Sequence, residues 1–295
     1  RRTGRMLIMT GSGEVGYGRS RVSKAGDYSE ALKVGRYYSD DEGRTWTGGE
    51  VTQEIYDMYR GSGNIYRLFF TSGKICQSRL VKRGAYYRIY SAVVTNEGSL
   101  VVYSDDFGGT WKPLGGADAR PAPEGDEAKI EELPDGRVLL SCRRGGKEGR
   151  CFNIYTYENK KYNSGSWATP VASEAEEGGT ATLNNNTNGE ILLVPAKAVG
   201  GKRAYVALQS VPRGSHGDHP SNLERRSHVS IYWKAFGEAE DWRTPEDWVD
   251  GWKRYEVTDG RSAYSTMAIG GDGSIHFVYE DEGVRFRLGS QWTEM

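Results

Sequence analysis

Apolar and polar positions alternate along this chain in short bursts, and almost nowhere with the spacing of a helix. Strand-like runs rich in β-branched and aromatic residues occupy 6–10, 65–70, 86–94, 99–103, 137–142, 152–157, 190–194, 203–208, 229–233, 274–279 and 284–288. Most are bounded by Gly, Asp, Asn or Pro, which break strands by favouring turns. Asp135-Gly136, Asn188-Gly189 and Asp272-Gly273 have the composition of tight hairpin turns, since Asp, Asn and Gly tolerate positive φ. Each precedes a run of similar kind: Arg-Val-Leu-Leu-Ser, Glu-Ile-Leu-Leu-Val and Ser-Ile-His-Phe-Val. Only 238–248 reads as a short surface helix, and nothing resembles the crossover helices, about 10–15 residues long, of a parallel α/β sheet. This recurrent hairpin grammar predicts an all-β chain, a radial assembly of small antiparallel sheets (a β-propeller) rather than a β-sandwich.

Composition agrees with many tight turns between short strands. Gly accounts for 40 of 295 residues, roughly twice the usual share, against only 9 Pro. No linker rich in Pro or Ser and no charge block divides the chain, so 1–295 is expected to form one domain. The 39 basic and 40 acidic side chains leave a formal charge of -1, which argues against a nucleic-acid binder relying on counterion release. No uninterrupted apolar run has the length of a transmembrane helix. Cys142 and Cys151 can pair, but with Cys76 the count is odd and the redox compartment stays open.

One repeat stands out. Ser39-Asp40-Asp41-Glu42-Gly43-Arg44-Thr45-Trp46 returns as Ser104-Asp105-Asp106-Phe107-Gly108-Gly109-Thr110-Trp111. Both copies follow Ser-x-Asp-x-Gly-x-Thr-Trp. Ser39 and Asp41, like Ser104 and Asp106, can tie off backbone donors; Gly43 and Gly108 supply an unusual dihedral; Thr45 and Thr110 precede tryptophans that pack underneath. The motif resembles the Asp-box of sialidases and related propellers, which is a structural turn and carries no chemistry.

A sharper resemblance begins at Gly125. Asp126-Glu127-Ala128-Lys129 leads through Leu133-Pro134-Asp135-Gly136 to Arg143, and is similar to a stretch of microbial and animal exo-α-sialidases. Arg226-Ser227-His228-Val229-Ser230-Ile231 resembles the strand whose leading arginine faces substrate, and its flanks favour Arg226 over Arg225. Ala263-Tyr264-Ser265-Thr266-Met267 resembles the segment bearing the catalytic tyrosine, and Glu280 falls where the family places a carboxylate that orients an arginine. The resemblance implies a six-bladed β-propeller of four-stranded antiparallel sheets, with its first or last blade incomplete. It implies a single catalytic domain over 1–295 and removal of terminal α-linked sialic acids from glycoproteins, glycolipids or oligosaccharides, with no cofactor and no metal. Trans-sialidase activity and a noncatalytic glycan-binding role are the alternatives. The family further implies a secreted, cell-surface or lysosomal setting.

The implied residue types suit the chemistry. Sialic acid carries a carboxylate on its anomeric carbon, and planar guanidinium groups such as those of Arg143 and Arg226 bind carboxylates bidentately. A carboxylate nucleophile would meet that charge head-on, whereas Tyr264 arrives neutral and is activated when Glu127 takes its proton. Sialidases with a tyrosine nucleophile are an exception to the two-carboxylate pattern of glycosidases. By resemblance Asp27 is the acid for the leaving alcohol, and Arg21 contacts the sugar ring.

The chain departs from the family in one respect. No Arg-Ile-Pro or Arg-Val-Pro occurs, so the third carboxylate-binding arginine is expected to precede residue 1, Glu280 to lie beside its empty place, and this chain to have little activity alone. Glu280 can alternatively pair with Arg287. His216 and His219 lie in a Gly/Pro loop that lacks the fixed geometry of a zinc site, and Asn185-Asn186-Thr187 is a glycosylation acceptor only in a secreted protein.

Overall fold

The computed structural model describes residues 4–24, 26–62, 64–183, 187–215, 226–237, 241–281, 285–288 and 291–294, the last two segments as backbone only. The chain begins with a sheet of β1 (Met6–Ser12), β2 (Lys33–Ser39) and β3 (Thr47–Glu50), paired in that order. The short helix α1 (Thr52–Asp57) follows, buried through Ile55 and Tyr56. A second sheet contains β4 (Leu68–Phe70), β5 (Cys76–Arg83), β6 (Tyr86–Thr95), β7 (Gly98–Ser104) and β8 (Lys112–Pro113). The third contains β9 (Gly125–Glu132), β10 (Val138–Arg144), β11 (Arg150–Tyr157), β12 (Gly165–Trp167) and β13 (Val171–Ser173). The fourth is a plain meander of β14 (Ile191–Lys197), β15 (Arg203–Pro212), β16 (Val229–Phe236) and β17 (Lys253–Glu256). Two hairpins complete the described chain, β18 (Ser262–Ile269) with β19 (Ile275–Asp281) and β20 (Arg285–Leu288) with β21 (Gln291–Glu294).

All ladders between these strands are antiparallel, as the hairpin grammar predicts. The expected six-bladed propeller of four-stranded sheets is not what forms. The sheets hold 3, 5, 5, 4, 2 and 2 strands, and each is an open path whose ends do not rejoin. The physical reason is that turn signals specify pairing between successive strands and say nothing about closure. Extra strands also join partway along a ladder: β5 shares β6 with β4, and β13 shares β11 with β12.

The expected helix over 238–248 reduces, among the described residues, to a 3₁₀ turn at Pro245–Trp248, with Thr244 and Asp247 forming a capping box. Gly136 and Gly273 take positive φ in the β9–β10 and β18–β19 hairpins, as expected. Gly189 does not occupy a left-handed turn. It is needed because a Cβ there would come within 1.6 Å of the Ser210 carbonyl oxygen.

The two repeated turns share one geometry. Glu42 and Phe107 have φ of 62° and 60°, and the Gly43 and Gly108 amides donate to Ser39 and Ser104 Oγ at 2.8 and 2.7 Å. Asp41 accepts from Thr45 N at 2.8 Å and Thr45 Oγ1 at 2.6 Å; Asp106 accepts from Thr110 N and Oγ1, both at 2.8 Å. The tryptophans differ, for Trp111 is buried against Phe70 whereas Trp46 is half-buried. Arg36 of β2 locks the first sheet to the second turn through the Gly108 and Gly109 carbonyls, at 3.1 and 2.6 Å.

Candidate active site

The site is assembled by the opening residues of two strands. In the β9–β10 hairpin Cys142 faces Ala128 but Arg144 faces Gly125, so Asp126 and Glu127 together oppose Arg143. Such a β-bulge breaks the usual alternation of side chains and lets two successive residues turn toward one partner. Arg143 Nη1 accordingly donates to Glu127 Oε2 at 2.8 Å while its Nε lies 3.5 Å from Asp126 Oδ2. Burial works against the Arg143 charge, but the Asp126 and Glu127 carboxylates hold its pKa above the ordinary value.

A second bulge presents the tyrosine. Ser262 faces Asp281 and Ser265 faces Tyr279, leaving Ala263 and Tyr264 opposite Glu280. The Tyr264 backbone N–H donates to Glu280 Oε2 at 3.2 Å, and its hydroxyl donates to Glu127 Oε2 at 2.9 Å. Burial, followed by the charge of Glu127 and the hydrogen bond to it, pushes the Tyr264 pKa up to about 12. The hydroxyl is therefore neutral at ordinary pH and already aimed at a proton acceptor.

Arg226 reaches the same place because its segment zips onto the start of β18. Ser262 N donates to the Arg226 carbonyl at 2.9 Å, His228 N to Gly260 O at 3.1 Å, and Val229 N to Ser262 Oγ at 2.9 Å. Its guanidinium carbon sits 5.4 Å from the Tyr264 ring centroid. The hairpin is held from behind by Ser265 Oγ against Ser210 Oγ at 2.9 Å and by Thr266 Oγ1 donating to Glu190 at 3.0 Å. Glu190 is fully buried and stands 3.9 Å from the buried Lys129 ammonium, whose pKa burial pulls down. Lys74 joins this interior charge cluster through Glu131 at 2.9 Å.

Glu127, Arg143, Arg226, Tyr264 and Glu280 thus converge. Asp27 and Arg21 make no hydrogen bond to that group. Asp27 is exposed, and its carboxylate accepts from Ser29 Oγ at 2.6 Å and Ser29 N at 3.1 Å, which lowers its pKa. Arg21 donates to the Ser20 carbonyl at 2.7 Å, and its guanidinium stacks 5.4 Å from the Tyr66 ring centroid. Arg1, Arg2, Asn185, Asn186, His216, His219, Arg225 and the side chain of Arg287 lie outside the described residues. Asp126 and the Lys129–Glu190 pair escaped the sequence reading of the site, although Asp126 and Lys129 stand within the motif that pointed to Glu127.

No protein-family model and no curated protein matches this sequence. Solved structures do match in fold. The intramolecular trans-sialidase of Ruminococcus gnavus is 22% identical, with a TM-score of 0.59, over 85% of this chain and 46% of its own. The leech intramolecular trans-sialidase is 20% identical, with a TM-score of 0.58, over 85% of this chain and 33% of its own. The NanB sialidase of Streptococcus pneumoniae is 17% identical, with a TM-score of 0.58, over 84% of this chain and 32% of its own. The chain therefore spans about a third to a half of the length of these structures, and its likeness to them is one of fold.

Proposed function

We propose that the chain is the catalytic unit of a glycosidase acting on terminal α-linked sialic acids through a covalent tyrosyl intermediate. The observation that carries this reading is the 2.9 Å hydrogen bond from the Tyr264 hydroxyl to Glu127, flanked by the guanidinium groups of Arg143 and Arg226. In the first step the Tyr264 oxygen bonds to the anomeric carbon, Glu127 takes the hydroxyl proton, and the bond to the leaving alcohol breaks. Asp27 is the proposed donor of a proton to that alcohol. In the second step an acceptor hydroxyl gives its proton to the Asp27 carboxylate and displaces tyrosine, which recovers its proton from Glu127, so two inversions give overall retention. Arg143 and Arg226 bind the sugar carboxylate, and Glu280 fixes the backbone of the nucleophile.

Of the two fates for the intermediate, transfer is better supported than hydrolysis. Two of the structures named above, those from Ruminococcus gnavus and the leech, are intramolecular trans-sialidases, and the leech enzyme is complexed with 2,7-anhydro-Neu5Ac. Incubation with an α-sialoside followed by NMR of the products tests both fates. Release of an anhydro sugar supports transfer, free sialic acid supports hydrolysis, and binding without turnover points to a glycan-binding role. Neither binding nor turnover of sialosides overturns the reading.

A further inference from the structure

Arg67 is a guanidinium set into an aromatic frame, with no ion-paired carboxylate among the described residues. It immediately precedes β4, and its guanidinium carbon lies 4.7 Å from the Tyr17 ring centroid and 5.6 Å from that of Tyr66. Its Nε is buried without a hydrogen-bond partner, and among the described residues no acidic side chain forms an ion pair with it. A buried donor on a charged group is costly when nothing accepts from it. Tyr66 also receives Arg21, 5.4 Å away, so two cations share one ring. Cation–π contact offsets part of the lost hydration but supplies no acceptor oxygen.

The position connects this frame to the candidate site. Arg67, Phe69 and Thr71 alternate along one side of an extended segment. Phe69 packs edge-on against Tyr17 at 5.0 Å, and Thr71 Oγ1 donates to the Ala128 carbonyl at 2.9 Å, one residue beyond Glu127. Tyr17 lies within electrostatic range of Asp126, the carboxylate paired with Arg143.

We propose that Arg67, held between Tyr17 and Tyr66, is a substrate-recognition residue that donates to acceptor oxygens of the bound acidic sugar on the Asp126 side of the site. The assignment rests on the sialic-acid reading above and deepens it. Nε is enclosed while the residue as a whole is only half-buried, so ligand oxygens would meet the outer guanidinium nitrogens, and the aromatic frame fixes the guanidinium plane in advance, which reduces the ordering cost of binding.

The test measures binding of the unsaturated glycal of N-acetylneuraminic acid by calorimetry, alongside thermal unfolding. Arg67→Gln keeps much of the side chain's bulk and a polar end, so it guards against simple unfolding, while Arg67→Lys keeps the charge without the planar fork. Wild-type binding with a loss of about tenfold to hundredfold in Arg67→Gln, and incomplete rescue in Arg67→Lys, is the expected result. A purely structural Arg67 would lower the unfolding temperature yet leave the dissociation constant of the folded variant within about twofold, and that overturns the inference alone. Failure of the wild-type protein to bind the glycal overturns the sialic-acid reading first and the role of Arg67 with it.

Discussion

Tyr264 and Glu127 meet through a 2.9 Å hydrogen bond, and each stands where its strand carries one residue more than its partner. The bulges are what bring them together: regular alternation would not turn Asp126 and Glu127 toward the same arginine. The pair is a donor and an acceptor with Arg143 on the acceptor's oxygen, a geometry suited to activating a neutral nucleophile.

Removing either member should abolish turnover while sparing the fold. Tyr264→Phe and Glu127→Gln are each expected to lower kcat by at least about 10²-fold, the range typical of lost acid–base assistance. The measurement is steady-state release from an aryl sialoside, with circular dichroism to verify folding. Full activity in Tyr264→Phe would remove the tyrosine from the mechanism.

Asp27 can be tested through the leaving group. An aryl alcohol departs readily without a proton, whereas a sugar alcohol does not. Asp27→Asn should therefore depress turnover of sialyllactose by about 10²-fold or more and spare an activated aryl sialoside. Equal losses on both substrates would assign Asp27 another role, in keeping with its hold on Ser29.

Stability at alkaline pH should carry the signature of Tyr264. Its folded pKa, pushed up to about 12, exceeds the ordinary value of 10.0. The folded state therefore retains a proton that the unfolded state gives up first. This contribution is fully present below pH 10 and is lost as pH rises toward about 12. Denaturant titrations of wild type and Tyr264→Phe should show their stability difference changing over that window, with wild type losing more. Parallel curves from neutral pH to pH 12 would contradict the shift.

The interior ion pair makes a prediction of its own. Lys129 and Glu190 are both buried, 3.9 Å apart. Glu190→Gln should destabilise by about 3–5 kcal/mol because it leaves an uncompensated ammonium inside the molecule. Lys129→Met with Glu190→Gln should recover part of that loss. A double-mutant cycle by urea unfolding measures the coupling, and additive losses would show that the two charges act independently.

The turn around Asp106 should matter more than its twin. Asp106→Ala removes the acceptor for Thr110 N and Oγ1 beneath a buried Trp111, and a loss of about 1–3 kcal/mol is expected. Asp41→Ala, in the more exposed first turn, should cost less. Thermal unfolding of the two variants gives the order directly.

Much of this was legible where burial is simple. The apolar runs of β7, β10 and β15 are visible because their side chains have ordinary core partners. The strand β9 is harder to see, since Glu127, Lys129, Glu131 and Glu132 are all buried by pairing rather than by apolarity. Likewise β18 carries the adjacent polar pair Ser265 and Thr266 amid apolar residues, and their hydroxyls bind Ser210 and Glu190. The family resemblance pointed to Glu127, Arg143, Arg226 and Tyr264, which the structure gathers in one place, whereas the bulges that aim Glu127 and Tyr264 leave no compositional mark. Sheet closure is a further step removed, because it depends on how distant edges meet.

The separation of Glu127 from Tyr264 has a consequence for how the protein is made. At a synthesis rate of about 5–20 residues per second, the acceptor leaves the ribosome roughly ten seconds before its donor, which follows 137 positions later. During that interval the β9–β10 hairpin can fold and Arg143 can settle on Glu127, but Tyr264 does not yet exist in the folding chain. Formation of the Tyr264–Glu127 hydrogen bond then waits on the β18–β19 hairpin, and its appearance reports docking of that hairpin rather than completion of the earlier sheets.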